Sequence, residues 1–144
     1  MSGAPLTLIS FDFGTRRIGI ALGQTLTGTV RPLTTLSSKQ QKPDWHAISA
    51  LLREWQPQRL VVGLPLHMDG SEQPMTDKAR RFGNQLKGRY NLPVDMVDER
   101  LSSDEAEARL RERGGRYHKD EIDALAAQLI LESWLTQYML ENAE

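Results

Sequence analysis

Hydrophobic and polar positions follow two patterns in this chain: short apolar runs, and longer segments in which apolar residues recur at helical spacing. Leu6 to Phe13 is an almost unbroken apolar run with β-branched and aromatic residues, and Gly14 ends it. Such a run predicts a strand that is buried on both faces. Further runs of this kind predict strands over Ile18 to Gly23, Val30 to Leu36, Arg59 to Leu64 and Pro93 to Asp98.

Apolar residues at helical spacing predict four helices. The first begins after Asp44, a suitable N-cap, and stops at Pro57. The later helices are predicted over Met75 to Tyr90, Ser102 to Arg113 and Glu121 to Leu140. Gly114 and Gly115 form the break that separates the last two helices.

The elements come in the order β-β-β-α-β-α-β-α-α. Three strands joined by short turns predict an antiparallel meander, and a helix between two buried strands predicts a parallel pairing. We therefore predict an α/β fold with a mixed five-stranded sheet, antiparallel over its first three strands, and helices on both faces. A length of 144 residues predicts one domain over residues 1–144, with its core at about 6–140.

Composition favours a reducing compartment. The chain has no cysteine, which excludes disulfides and thiolate metal sites. The N-terminal segment lacks the basic and apolar regions of a signal peptide, and no apolar run is long enough to cross a bilayer. We therefore expect a cytoplasmic location and no membrane partner.

The net charge of −1 argues against a nucleic-acid binder coated with basic residues, but the cations are unevenly distributed. One basic stretch precedes the last helix and contains Arg109, Arg111, Arg113, Arg116, His118 and Lys119. A second contains Lys78, Arg80, Arg81, Lys87 and Arg89. Each stretch is compatible either with a local grip on a phosphate backbone or with a solvated helix face.

Asp12 stands inside the first apolar run, in register with Leu8 and Ser10 on one face of the strand. Burying an unpaired carboxylate is costly, so Asp12 needs a cation, a network of hydrogen-bond donors or a place at the end of the strand. The alternative is a structural role in which Asp12 accepts hydrogen bonds from the backbone amides of the Gly14-Thr15 turn.

Two further acids lie at the ends of predicted elements. Glu99 follows the fifth strand, on the face of Val97 if the side chains alternate, and its alternative role is an ion pair with Arg100. Asp123 lies at the border of the apolar stripe of the last helix, so it points towards the sheet. Asp120, about one turn earlier, could reach the same region or cap that helix, and we predict the cap.

Carboxylates from distant segments that converge on one point predict a site made only of oxygen ligands, which suits Mg²⁺ or Mn²⁺. Asp12, Glu99 and Asp123 are the predicted metal ligands and catalytic residues. Metal sites of this kind most often act on phosphate esters.

Four motifs occur in order along the chain: D-F-G-T-R-R-I-G, V-V-G-L-P-L-x-M-D-G-S, D-E-R-L-S-S and K-x-x-I-D-x-x-A-A. Together they resemble the YqgF/RuvX family of bacterial ribonuclease-H-like proteins, over about Leu8 to Trp134. The resemblance implies a ribonuclease-H-like fold, which agrees with the element order, and a nuclease that cleaves phosphodiester bonds. The approach to the last helix departs from the family pattern, because Asp120 and Glu121 make it more acidic than expected.

The resemblance also implies roles for individual residues. The three acids would support two-metal hydrolysis, with Asp12 bridging two ions and each of the others holding one. Gly14 matches a glycine that lets the substrate backbone come close to the metal. The basic positions that match phosphate contacts are Arg16, Arg100 and Lys119.

Family members are described as nucleases that process the 5′ end of precursor 16S ribosomal RNA and as Holliday junction resolvases. The resemblance therefore implies a nucleic-acid partner, with structured RNA favoured and branched DNA as the alternative. We expect a monomer or a weak homodimer. A rival from another class is a non-catalytic RNA- or ribosome-associated factor on the same fold. The polar loop Pro65 to Pro74 is either a flap over the substrate or a plain surface connection.

Overall fold

The structure, a computed structural model, describes residues 4–100, 102–114 and 118–143. Within these residues the chain forms five strands: β1 (Thr7–Phe13), β2 (Arg17–Gln24), β3 (Thr29–Ser37), β4 (Arg59–Leu64) and β5 (Val94–Asp98). The same residues form four helices: α1 (Trp45–Trp55), α2 (Pro74–Tyr90), α3 (Ser102–Glu112) and α4 (Lys119–Glu141). Leu101 of the third motif, Gly115 of the predicted break and Arg116 of the first basic stretch lie outside the described residues.

The described strands form one mixed sheet in the order β3-β2-β1-β4-β5. β2 runs antiparallel to both β1 and β3, whereas β4 runs parallel to both β1 and β5. This arrangement confirms the predicted meander and the predicted parallel pairings. Because parallel neighbours end at the same edge of a sheet, the carboxyl ends of β1, β4 and β5 lie together.

Helices cover both faces of the sheet, as predicted. On one face the strands pack against α1 and α2 around Phe11 and Phe82, whose ring centroids are 5.4 Å apart. On the other face Leu8 and Val61 pack against Ile130 of α4. α3 packs against α4. No helix among the described residues combines the length and the apolar character that crossing a bilayer requires.

Local signals explain most element ends. Asp44 caps α1 as predicted, because the Ala47 backbone N–H donates to its Oδ1 at 3.0 Å. α2 begins at Pro74, where a missing N–H costs no hydrogen bond. β5 begins at Val94 and not at Pro93, since proline has no N–H to give to the ladder.

The prediction that Asp120 caps the last helix is wrong. The N-cap of α4 is His118, and its backbone N–H donates to the Glu121 carboxylate at 3.2 Å. Asp120 lies inside the first turn instead, and its backbone carbonyl accepts a hydrogen bond from the Thr35 hydroxyl at 2.6 Å. The first turn of α4 is thereby fastened to β3.

Candidate active site

The three predicted acids lie at the edge where β1, β4 and β5 end. Asp12 is the second-last residue of β1 and faces α4, as does Ser10, whose hydroxyl donates to the Ala127 carbonyl oxygen at 2.7 Å. Glu99 follows β5 directly, and its backbone N–H extends the ladder by bonding a carbonyl of β4. Asp123 lies near the start of α4, which packs over β1 and β2. Separate elements thus bring the acids to one place.

Two glycines beside Asp12 allow the other acids to come near it. Gly19 is the partner of Asp12 in the antiparallel ladder, and a β-carbon on Gly19 would overlap the backbone carbonyl of Asp123. On the other side, Gly63 follows Val62, the β4 partner of Phe11, and a β-carbon on Gly63 would lie 2.5 Å from Cδ1 of Ile130 and 2.7 Å from Cγ of Glu99. Glycine inside a strand often marks such a close approach. A side chain at either position would push one acid away.

Burial and like charges disfavour the ionised forms of the two strand-end acids. Burial, then the charges of Glu99 and Asp123, raises the pKa of Asp12 well above its usual range. Burial, then the charge of Asp98, raises the pKa of Glu99 from 4.5 to about 7. Among the described residues, neither carboxylate gains a hydrogen-bond donor that lowers its pKa.

Asp123 differs from the other two acids because Arg17 pairs with it. The Arg17 Nε donates to Asp123 Oδ2 at 2.6 Å, and Asp120 Oδ1 lies 3.9 Å from the same nitrogen. The hydrogen bond to Asp123 raises the pKa of the Arg17 guanidinium. Arg17 begins β2 two residues before Gly19, so both project towards α4.

The chemistry of the donor set suits a divalent cation. Asp12 and Glu99 offer carboxylate oxygens, which Mg²⁺ and Mn²⁺ prefer as ligands. A cation between them would offset the burial and repulsion that raise both pKa values. Among the described residues, no three acidic, histidine or cysteine side chains have the spacing of a complete metal site. Asp12 and Glu99 therefore have the chemistry of metal ligands, whereas Asp123 is engaged by Arg17.

Three predicted substrate-binding residues border the acids. Gly14 forms the turn after β1, and a β-carbon there would lie 2.7 Å from the Arg17 carbonyl oxygen, so the turn itself requires glycine. Arg16 is exposed in the same turn, and Lys119 is exposed in the first turn of α4. Their roles towards a substrate remain predictions.

The fourth, Arg100, connects the acidic edge to the loop Pro65 to Pro74. Its guanidinium pairs with Asp98 at 2.7 Å, and its Nη1 donates to the Met68 carbonyl oxygen at 3.0 Å. The ion-pair partner of Arg100 is therefore Asp98 and not Glu99. The loop lies against the end of β5, so it borders the same edge as the acids.

The basic stretch before α4 is largely balanced by acids. Its described arginines each pair with a glutamate: Arg109 with Glu132 at 3.5 Å, Arg111 with Glu107 at 2.8 Å, and Arg113 with Glu121 at 4.0 Å. Of the two roles considered for this stretch, the ion pairs favour a solvated helix face over a local grip on a phosphate backbone.

Sequence analysis missed three residues that shape the site: Arg17, Gly19 and Gly63. The sequence could have indicated the two glycines, because each interrupts an apolar strand run. These runs are I-G-I-A and V-V-G-L. No local pattern indicates the role of Arg17, because its partner Asp123 lies 106 residues further along the chain.

Comparison with known proteins places this arrangement in context. A family model described as "RuvX: Holliday junction resolvase" matches residues 6–137. A protein of Actinobacillus pleuropneumoniae serotype 5b (strain L20), named "Putative pre-16S rRNA nuclease", is 52% identical over 130 residues, covering 89% of this chain and 95% of its own. A protein of the same name from Yersinia pestis (strain Pestoides F) is 53% identical over 133 residues, covering 91% and 95%.

Solved structures share the fold. RuvC of T. thermophilus in complex with a Holliday junction substrate has a TM-score of 0.53 at 15% identity, covering 96% of both chains. The fowlpox virus Holliday junction resolvase has a TM-score of 0.53 at 12% identity, covering 91% of this chain and 98% of its own. At such identities the likeness concerns the fold alone, and it confirms the predicted ribonuclease-H-like class.

Proposed function

The chain belongs to the RuvX family, and from this premise we propose that it is a metal-dependent nuclease that acts in the cytoplasm on precursor 16S ribosomal RNA. It would hydrolyse phosphodiester bonds in the 5′ leader of that RNA. The names of relatives at 52% and 53% identity support this choice of substrate over others.

One observation carries the proposal. Asp12, Glu99 and Asp123 come from distant segments, and burial, then the charges of the other two acids, raises the pKa of Asp12. Buried carboxylates that repel one another destabilise a fold unless another group compensates them, and such groups cluster at functional sites. A divalent cation is the compensating group that best suits oxygen ligands.

Asp12 and Glu99 would hold Mg²⁺ or Mn²⁺, and Asp123 would join them after leaving Arg17. The charges of both other acids act on Asp12, so Asp12 lies near both of them. It would therefore be the shared ligand if two ions bind. When bound, such ions activate the attacking water and stabilise the leaving oxygen. The protein's own contribution is to hold the acids in place through the strand ends and the first turns of α4.

The nearby cations would bind the substrate. Arg17, once released from Asp123, would contact a phosphate oxygen beside the acids, together with Arg16 and Lys119. These positive charges offset the repulsion between the acids and the RNA backbone and orient the bond to be cleaved. Gly14 keeps the turn after β1 tight, so that this backbone would pass close to the end of β1.

A second candidate function is cleavage of four-way DNA junctions. The description of the family model favours it. Junction cleavage requires two sites related by symmetry, and therefore a dimer. Cleavage of an RNA leader requires one site, which a monomer supplies.

The test is a side-by-side cleavage assay on a precursor 16S 5′-leader RNA and on a four-way DNA junction, with Mg²⁺ or Mn²⁺. We expect the wild type to cut the RNA, and Asp12→Asn to lose activity by about 100-fold or more. Asp77→Asn is the matched control, because Asp77 is an exposed acid of α2. It should cut like the wild type.

Other results would redirect the conclusion. Cutting of the junction alone, lost in Asp12→Asn, would establish the resolvase instead. RNA binding without cleavage by the folded wild type would contradict the nuclease and favour a non-catalytic factor.

A further inference from the structure

A cleft of about 510 Å³, the basic cleft, opens beside α2 on the sheet face opposite α4. Four cations line it: Lys42 from the loop before α1, and Lys78, Arg81 and Arg89 from α2. No described aspartate or glutamate is among its lining residues. The basic cleft is therefore a concentrated positive patch on a chain whose net charge is −1.

The cations of the basic cleft are not neutralised by acids nearby. Within the described part of the chain, none of the four forms an ion pair. Their neighbour Arg80 does form one, with Glu72 at 2.8 Å, and it does not line the cleft. The contrast with the ion-paired arginines of α3 shows that the two basic stretches have different electrostatic character.

The cations also follow the geometry of one helix face. Lys78, Arg81, Gln85 and Arg89 recur at intervals of three, four and four residues, so they form a row along α2. The row spans about 17 Å. The volume of the cleft is that of a small-ligand pocket, so a short stretch of one strand can enter it.

Arg89 is held in a defined position by Trp45. Its guanidinium carbon lies 4.1 Å from the centroid of the indole ring, which in turn stacks on Phe82 at 5.6 Å. A cation fixed in this way loses little side-chain entropy when it binds an anion. Because Arg89 covers the ring, the cleft offers a guanidinium to a phosphate and not an open surface for stacking a base.

The basic cleft meets the candidate active site at the end of β1. Phe13 and Thr15 line the cleft, whereas Asp12 projects to the other face of the sheet. The turn at Gly14 separates the two surfaces by only one or two residues. A nucleic-acid strand that crosses this turn would pass from the acids into the cleft.

We propose that the basic cleft binds the phosphate backbone of the RNA a few nucleotides away from the bond that is cleaved. The inference rests on the proposed nuclease function and adds a second contact surface to it. A row of cations without acids, continuous with the acidic edge, suits an extended polyanion better than a single phosphate. Contacts of this kind position a substrate and do not read its sequence.

The test uses Lys78→Gln/Arg81→Gln in an Asp12→Asn background, so that RNA binding is measured without cleavage. The anisotropy of a labelled precursor 16S 5′-leader RNA gives the Kd at several salt concentrations. We expect Kd to rise about tenfold relative to the background protein. The slope of log Kd against log salt should fall by about 1.4, because each single-strand phosphate contact contributes about 0.7.

Two control variants make the result specific. Arg80→Gln removes an arginine of the same helix that lies outside the cleft, and it should bind RNA as the background protein does. Lys78→Arg/Arg81→Lys keeps both charges and should also bind normally. The melting temperatures of all variants should agree, because the substituted side chains are at the surface.

Unchanged affinity and salt slope in the double glutamine variant would overturn the proposal, as would an equal loss in Arg80→Gln. A background protein that binds no RNA would overturn it too. The nuclease assay remains a separate question, because a protein that binds RNA through the cleft but cleaves nothing would contradict only the proposed catalysis.

Discussion

Asp12 lies where burial and two neighbouring acids raise its pKa well above the usual range. An ionised carboxylate in such a position stabilises the folded protein less than a neutral side chain of the same shape. Packing alone would favour the neutral residue, so the presence of Asp12 points to a role in binding a cation.

The first prediction concerns stability without metal. Asp12→Asn removes the charge and preserves the shape, so the free energy of unfolding at neutral pH should rise by on the order of 1–2 kcal/mol. Urea denaturation in the presence of EDTA measures it. A variant less stable than the wild type would contradict the repulsion that we infer at Asp12.

The second prediction concerns pH. In the unfolded chain Glu99 loses its proton near 4.5, whereas in the folded protein it keeps the proton up to about 7. The folded state therefore binds more protons in this window, and the contribution of Glu99 to stability falls as the pH rises from 4.5 to 7. At about 1.4 kcal/mol per pH unit, reduced for partial solvent exposure, the loss is on the order of 2 kcal/mol.

Denaturation of the wild type and of Glu99→Gln, without metal and in steps from acid to pH 8, isolates this contribution. The difference in unfolding free energy should grow through the window and level off above pH 7. Added Mg²⁺ at pH 8 should then stabilise the wild type more than the variant. If the unfolding free energies of the two proteins changed in parallel with pH, the pKa of Glu99 would not be raised by folding, and the prediction would be wrong.

The third prediction concerns Arg17, which would compete with a metal for Asp123 if Asp123 is a metal ligand as we propose. The pair is partly exposed, with side-chain exposures of 31% and 19%, so its loss should cost at most about 1 kcal/mol. Arg17→Gln should therefore keep the fold, tighten Mn²⁺ binding several-fold and slow RNA cleavage. Calorimetric titration and single-turnover cleavage separate these effects. Weaker metal binding in this variant would show that Arg17 positions Asp123 and does not compete for it.

At the scale of elements, the approach of α4 to the sheet depends on Gly19, where a β-carbon would overlap the Asp123 backbone. Gly19→Ala should lower the free energy of unfolding by on the order of 3 kcal/mol and weaken metal binding, because α4 must shift. Gly88→Ala is the matched control, since no atom lies within 4 Å of its β-carbon position. It should stabilise α2 by up to about 1 kcal/mol.

Thermal melts and Mn²⁺ titrations of both glycine variants check this prediction. Normal metal binding in a destabilised Gly19→Ala protein would mean that the position of α4 does not control the site.

The strands were the most predictable elements. Alternation along a strand depends on that strand alone, and it correctly predicted that Ser10 and Asp12 share one face of β1, which in the structure is the face towards α4. The start of α4 was less predictable, because the Glu121 side chain bonds the backbone of His118 and displaces Asp120 from the cap position. Aspartate is a preferred N-cap residue and histidine is not, so residue preference alone favours Asp120 over His118.

At the scale of the whole molecule, the predicted family and sheet topology are confirmed, because ordered motifs and element order are properties of the sequence. Two features arise from packing between distant segments, and local sequence patterns do not predict them. They are the basic cleft and the ion pair between Arg17 and Asp123. The roles of Asp12, Glu99 and Asp123 as metal ligands and catalytic residues stay predictions.

The candidate active site and the basic cleft are two surfaces that meet at the Gly14 turn. Acids face α4, and unpaired cations lie on the face covered by α2. This division would explain how a chain of net charge −1 binds a polyanion, with the acids at the proposed metal site and the cations along the proposed path of the substrate.

The claim on which the account depends most is that acids from three distant segments form one divalent-metal site. Calorimetric titration with Mn²⁺ tests it directly, on the wild type and on Asp12→Asn, Glu99→Gln and Asp123→Asn. Glu132→Gln, a change of a partly exposed acid of α4, is the control. We predict that the wild type and Glu132→Gln bind Mn²⁺ alike, and that each of the other variants binds about tenfold more weakly or worse. Wild-type affinity in all three would contradict the account.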